Sequence, residues 1–302
     1  MSRIKPVYLE TLESGGFEKK ISAARDLLKD CQLCPRVCRV NRREGELGKC
    51  HIGYRPVVSS YFPHFGEEAP LVGHNGSGTI FMAGCNLQCL FCQNYEISHL
   101  LEGREISIER FSEMMLELQE MGCHNINIVT PSHIAAQLIE AVYLAAKNGL
   151  HLPLVYNTSG YDSMVTLKLL EGIVDIYMPD FKFFDDELAG RYTAVKNYAT
   201  VAKSAIKEMH RQVGDLLLQD GIAVRGLLIR HLVMPGQLED SRKIFNFIAT
   251  EISRDTYINI MPQYRPAGQA QLRPEIARRL HHTEFLMALR AAQEAGLYRL
   301  DS

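Results

Sequence analysis

The chain has 302 residues, of which 46% are hydrophobic and 23% charged, values that support a sizeable folded core. Its net charge of −2 leaves no electrostatic footprint for nucleic acid or an acidic membrane surface. No segment approaches the ~20 apolar residues of a membrane span, and the opening MSRIKPVYLETLESGG has no apolar signal-peptide stretch, so the expectation is a soluble cytoplasmic protein.

Residues 15–29 have the pattern of a short amphipathic helix. Residues 30–66 lack regular periodicity and hold Cys31, Cys34, Cys38 and Cys50 in the spacing C-x2-C-x3-C-x11-C. Eight cysteines in a chain expected to be cytoplasmic read as metal or redox ligands, not disulfides. Four thiolates close a metal site, and Gly45 and Gly48 permit the turns that return Cys50 to the others. Either a structural zinc, with His51 a substitute ligand, or an auxiliary iron–sulfur cluster fits. Only one C-x2-C knuckle is present where zinc ribbons pair two, which leans toward iron–sulfur.

GHNGSG (73–78) lacks the Gly-Lys-Ser/Thr of a phosphate loop and reads as a turn into a strand. From about residue 78 apolar, β-branched runs alternate with helical patterns: TIFMA (79–83), INIVT (126–130), PLVYNT (153–158), VDIYMPD (174–180), LLIRHLVMP (227–235) and YINIMPQ (257–263). Ile108, Phe111, Met115, Leu118 and Met121 keep helical spacing up to Gly122; Tyr198 to Val213 do the same, and Pro274 to Gly296 bound a last helix. Nearly all-apolar strands alternating with helices predict a parallel sheet buried on both faces, here a partial (β/α)6 barrel of the α/β class. The expected division is a Cys-rich N-terminal segment, 1–66, and the barrel, 67–302. Cys123, alone after Gly122, reads as a small buried apolar residue.

The densest chemistry is AGCNLQCLFCQNYEIS (83–98). Cys85, Cys89 and Cys92 directly follow the first barrel strand, at the edge where such folds keep their chemistry. Three thiolates leave one iron of a four-iron cubane free for a small-molecule chelate, whereas a tetrahedral zinc needs a fourth ligand. The pattern C-x3-C-x-aromatic-C, with Phe91 before Cys92, resembles the signature of the radical S-adenosylmethionine (SAM) superfamily. That resemblance implies a 4Fe-4S cluster on the three cysteines and chelation of SAM at its free iron. It also implies reductive cleavage of SAM to a 5′-deoxyadenosyl radical that abstracts a hydrogen atom, with electrons from a low-potential donor such as flavodoxin or ferredoxin.

Later strand ends resemble the pyruvate formate-lyase activating enzyme branch. Where that branch commonly has Gly-Gly-Glu, this chain has VTPSH (129–133), so Thr130, Ser132 or His133 replaces the contact to the SAM amino group. YNTSGYD (156–162) resembles the ribose-binding turn, with Asn157 and Ser159 as hydrogen-bonding groups. MPDFKF (178–183) resembles the Asp-x-Lys station, where Asp180 and Lys182 face one side of a strand. IRHLVMPG (229–236) places Arg230 and His231 on opposite faces, with His231 a further candidate cofactor contact, and MPQYRPAG (261–268) brings Tyr264 and Arg265 toward a substrate opening. Together with CQLCPRVCRVNR (31–42), the chain is similar to proteins described as activating-enzyme-like. The implied substrate is a glycine of a partner glycyl-radical enzyme. The alternatives are a peptide or small molecule modified with help from the auxiliary cluster, and a non-catalytic metal scaffold.

Overall fold

The computed structural model describes residues 4–301. The chain runs α1 (Val7–Glu13), α2 (Phe17–Asp26), β1 (Val57–His64), α3 (Ala69–Val72), β2 (Ser77–Met82), α4 (Tyr95–Ser98), β3 (Arg104–Glu105), α5 (Ile108–Glu120), β4 (Ile126–Val129) and α6 (Ala135–Lys147). It continues through β5 (Leu154–Thr158), α7 (Met164–Leu170), β6 (Ile176–Pro179), α8 (Asp186–Tyr192), α9 (Tyr198–Val213), β7 (Leu217–Gln219), β8 (Ile222–Leu232), α10 (Leu238–Phe247), β9 (Tyr257–Met261) and α11 (His282–Glu294).

Six strands, in the order β2-β4-β5-β6-β8-β9, pair in parallel. Among the described residues no pairing joins β9 back to β2, so the sheet is an open, partial barrel. The strand cores carry apolar side chains on both faces, because helices cover the outside and the barrel interior is itself packed. Helix α5 shows how the outer layer forms: Ser107 accepts the Arg110 amide as N-cap, and Ile108, Phe111, Met115 and Leu118 turn inward at helical spacing. On the inner face Val155, Ile176, Met178 and Leu228 pack together with Leu71 of α3. Asn125 Nδ2 donates to the Leu71 carbonyl at 2.9 Å, fixing α3 across the lower end of the barrel as a plug.

Two expectations need correction. Residues 57–64 form a strand, β1, that pairs antiparallel with β2 and carries β3 on its other side at Val57 and Val58. A boundary at residue 66 therefore cuts a hairpin, and α1 and α2 also share the barrel's core through Tyr8, Phe17 and Ala24. Half-exposed serines and Pro63 hide this strand in the sequence; Pro63 is tolerated because its outer side is an edge. The last helix starts at His282, not Pro274: Glu284 reaches back to the His281 amide, a capping box that sets the start. Among the described residues no helix is long and apolar enough to cross a membrane.

Candidate active site

The carboxyl ends of the parallel strands surround a cavity of about 260 Å³. Cys85, Cys89, Phe91 and Cys92 enter it from the loop after β2, Thr130 from the end of β4, and Asn157 and Ser159 from β5 and its turn. Asp180 and Lys182 follow β6, and Arg230 projects from β8. Residues far apart in sequence meet here because every βα unit delivers its loop to the same rim.

The cysteine loop depends on local details. Gly84 has φ +78°, and a Cβ there would lie 2.6 Å from the Cys50 carbonyl oxygen, so only glycine lets the loop leave β2 this way. The Leu87 amide donates to Cys85 Sγ at 3.3 Å, and the Ser98 hydroxyl donates to Cys92 Sγ at 3.2 Å. Phe91 is buried edge-on to Phe183, anchoring the loop between its last two cysteines. Burial pushes the Cys85 and Cys89 thiols up, with the Lys182 ammonium pulling the other way. A metal that displaces these protons supplies what the protein's own positive charge does not. Among the described residues no three His, Cys, Asp or Glu side chains are gathered to hold a single metal ion. Three thiolates on one loop suit a four-iron cluster that would keep one iron open to a small-molecule chelate.

Below the loop lies a charged layer. Lys182 Nζ donates to Asp180 Oδ2 at 2.6 Å, while Arg230 Nε donates to Asp180 Oδ1 at 2.8 Å. Arg230 Nη2 donates to Asn157 Oδ1 at 2.7 Å. Glu67 and Glu68, carried on the approach to the α3 plug, stand 3.6 and 4.0 Å from the same guanidinium. Burial alone would push Asp180 up, but Arg230 and Lys182 outweigh it and hold the carboxyl below its usual range. Burial pushes Glu68 up against the pull of Arg230. The Ser159 hydroxyl, facing the cavity, is buried without a hydrogen-bond partner. An orphaned donor beside paired charges fits a polar ligand such as the amino acid and ribose portions of SAM.

Three candidate contacts lie away from the cavity. His231 points to the other side of β8, where its ring bonds the Phe181 carbonyl at 2.7 Å and Ser241 Oγ at 2.9 Å. Burial lowers it to about 4, so it is a neutral core histidine. Ser132 bonds Thr158 Oγ1, which donates in turn to buried Asp162, and so braces the β5 turn from behind. His133 bonds the Ala83 carbonyl at 2.9 Å and is held neutral by burial at about 3. Sequence reasoning missed Glu67, Glu68 and Ser98. The paired glutamates look like a solvated turn until the fold swings them inside, and Ser98 carries no motif.

The second cysteine group leans on the first. Burial pushes the Cys34 thiol up to about 12, with Cys50, Cys31 and Cys38 adding to the rise. Arg42 is buried: it binds the Gly53 and His133 carbonyls and pulls Cys50 down against burial. Arg36 donates to the Asn86 carbonyl at 2.7 Å, and Gln88 Nε2 donates to the Lys49 carbonyl at 2.8 Å. The two loops thus form one packed unit, and none of the eight cysteines is joined in a disulfide.

An uncharacterized protein of Methanocaldococcus jannaschii, MJ0674, is 35% identical over 96% of this chain and 82% of its own length. A second from that organism, MJ0808, is 25% identical over 78% and 71%. Among solved structures, Streptococcus suis SuiB bound to S-adenosylmethionine superposes with a TM-score of 0.49 at 10% identity, over 72% of this chain and 47% of that one. Kitasatospora setae TsrM, a radical S-adenosylmethionine methyltransferase with cobalamin and a [4Fe-4S] cluster, gives 0.44 at 16%, over 62% and 36%. This chain thus spans less than half the length of either structure. The sequence model of the Radical SAM superfamily matches residues 79–248, more than half of the chain, beginning within β2 and taking in the three-cysteine loop and the stations from Thr130 to Arg230. This protein is therefore a member of the radical SAM superfamily, an enzyme class that works with S-adenosylmethionine and a 4Fe-4S cluster.

Proposed function

We propose that this enzyme abstracts a hydrogen atom from a polypeptide substrate, the leading candidate being a glycine of a partner protein. When bound, the cluster, once reduced by a low-potential donor, would supply one electron to cleave the SAM sulfonium to methionine and a 5′-deoxyadenosyl radical, the species that would take the substrate's hydrogen atom. Cys85, Cys89 and Cys92 hold the cluster. Asp180, Lys182, Asn157 and Ser159 orient the amino acid and ribose portions, with Arg230 fixing Asp180 and Asn157 in place. Thr130 and Phe91 shape the walls and keep water out.

The observation that carries the substrate reading is the chemistry of the cavity lining. Exposed Gln93, Asn94 and Gln263 bring amides to it, and Phe81, Val129 and Leu232 bring apolar surface. The charged groups of the cavity, Asp180, Lys182 and Arg230, are already paired with one another. A neutral peptide backbone suits such an amide-bearing lining.

Cys31, Cys34, Cys38 and Cys50 are read as a second iron–sulfur site. This is supported by the single C-x2-C knuckle, where zinc ribbons pair two. Its packing against the catalytic loop supports a role in passing electrons from a low-potential donor such as flavodoxin or ferredoxin.

The test is anaerobic purification, iron, sulfide and zinc counts, and an assay for 5′-deoxyadenosine with reductant and SAM. Wild type should form 5′-deoxyadenosine, and Cys85→Ala/Cys89→Ala/Cys92→Ala should not while keeping iron at the N-terminal site. No iron after reconstitution would overturn the reading. Zinc retained in the triple variant would overturn the second iron–sulfur site. Deuterium carried from a glycine-labelled partner into 5′-deoxyadenosine would identify the abstracted atom.

A further inference from the structure

Each cysteine of the catalytic loop has its own supporting group. Cys85 has the Leu87 amide, Cys89 has the nearby Lys182 charge, and Cys92 has the Ser98 hydroxyl. The third differs in kind, because Ser98 is itself bonded onward: its Oγ lies 2.8 Å from His99 Nδ1.

A serine hydroxyl has one proton to give. A cysteine bound to iron is a thiolate with no proton, so the contact at Cys92 Sγ exists only if Ser98 spends its hydrogen there. The 2.8 Å contact to His99 must then be made by a hydrogen on Nδ1, with Ser98 Oγ accepting. When Ser98 donates to an iron-bound Cys92, the 2.8 Å contact calls for the Nδ1–H form of His99. The ring is also held in place: it stacks on Tyr95 at 4.2 Å and 12°, and the Tyr95 hydroxyl accepts from Gln269 Nε2 at 3.0 Å. Ser98 is almost fully buried, so water does not compete well for its hydroxyl.

We propose that Ser98 and His99 form a hydrogen-bond relay onto Cys92 Sγ that sets how readily the catalytic cluster accepts an electron. The proposal rests on the reading of Cys92 as a ligand of that cluster. Hydrogen bonds to cluster sulfurs withdraw negative charge and favour the reduced state, so the relay raises the reduction potential. His99, donating into Ser98, polarises the hydroxyl and strengthens its bond to sulfur. Neither residue needs to touch SAM; both act by positioning a hydrogen.

The experiment is a reduction titration followed by electron paramagnetic resonance, without SAM, on reconstituted wild type and four variants with matched iron and sulfide content. Ser98→Ala removes the hydrogen to sulfur, and Ser98→Thr keeps it. His99→Phe keeps the stack on Tyr95 but removes Nδ1, and His99→Asn restores a donor near its position. Ser98→Ala and His99→Phe should both move the midpoint potential lower, His99→Phe by less, and Ser98→Thr and His99→Asn should stay near wild type. Equal potentials in wild type, Ser98→Ala and His99→Phe would overturn the relay. If Ser98→Ala does not hold its cluster, His99→Phe decides alone. A wild type that assembles no cluster would instead overturn the assignment of the three-cysteine loop, on which the relay depends.

Discussion

Arg230→Met tests whether the charged layer under the cavity is organised by one guanidinium. Methionine keeps the length and apolar stem of arginine but removes the charge and all its hydrogen bonds. Arg230 bonds Asp180 at 2.8 Å and Asn157 at 2.7 Å, with Glu67 at 3.6 Å and Glu68 at 4.0 Å. Removing one partner of a buried pair costs about 3–5 kcal/mol. Lys182 stays on Asp180, so a loss near the low end, about 3 kcal/mol, is expected at neutral pH. That is a large share of a total stability of about 5–15 kcal/mol. The pH dependence has a definite sign. In the wild type Asp180 is held below its unfolded value, so its contribution is present above that value and fades as pH falls through the folded one. In the variant the buried carboxylates lose their cation and rise above their unfolded values, so they cost stability once ionised and cost less when protonated. The penalty should therefore be largest near about pH 7.5 and shrink toward about pH 5. Guanidinium unfolding of both proteins at the two pH values, followed by far-ultraviolet circular dichroism, measures it. A penalty under about 1 kcal/mol at both, or one that grows on acidification, would refute the reasoning.

Other residues separate ligand contacts from scaffold. Ser159→Ala should weaken SAM binding roughly 3- to 10-fold with no loss of thermal stability, read by titration calorimetry; an unchanged affinity removes Ser159 from the site. His231→Phe should do the reverse, costing about 1–3 kcal/mol of stability while leaving SAM affinity intact, because it orphans Ser241 and the Phe181 carbonyl. His231 and His133 are buried neutral, lowered to about 4 and about 3, so stability should fall as pH drops below about 6.5, where the unfolded chain takes up their protons. His231→Phe should flatten that slope. Gly84→Ala should cost iron at both cysteine groups, since its Cβ would collide with the Cys50 carbonyl; full iron counts in the variant would show the two loops to be independent.

The parts of the molecule legible in the sequence are those set by local pattern. The six parallel strands show as apolar runs, and Cys85, Cys89 and Cys92 show as a spacing. Asp180 and Lys182 could be placed together because alternation along one strand is local. His231 shows the limit: alternation put it opposite Arg230, but which of the two faces the cavity depends on how the sheet curls. Glu67 and Glu68 were invisible because nothing local distinguishes a solvated acidic pair from one that a plug carries into the barrel. The same holds for Arg42, whose burial depends on Gly53 and on His133, ninety-one positions away.

The plug at Leu71 has a kinetic consequence. With α3 packed across the lower end and bonded from Asn125, the described residues leave the rim of strand ends as the approach to the cavity. Anything large that docks at the rim closes that approach behind the smaller ligand. Under the proposed polypeptide substrate, SAM would board first and the spent fragments would leave only after the substrate. Steady-state kinetics should show compulsory order, with substrate in excess trapping products and slowing turnover.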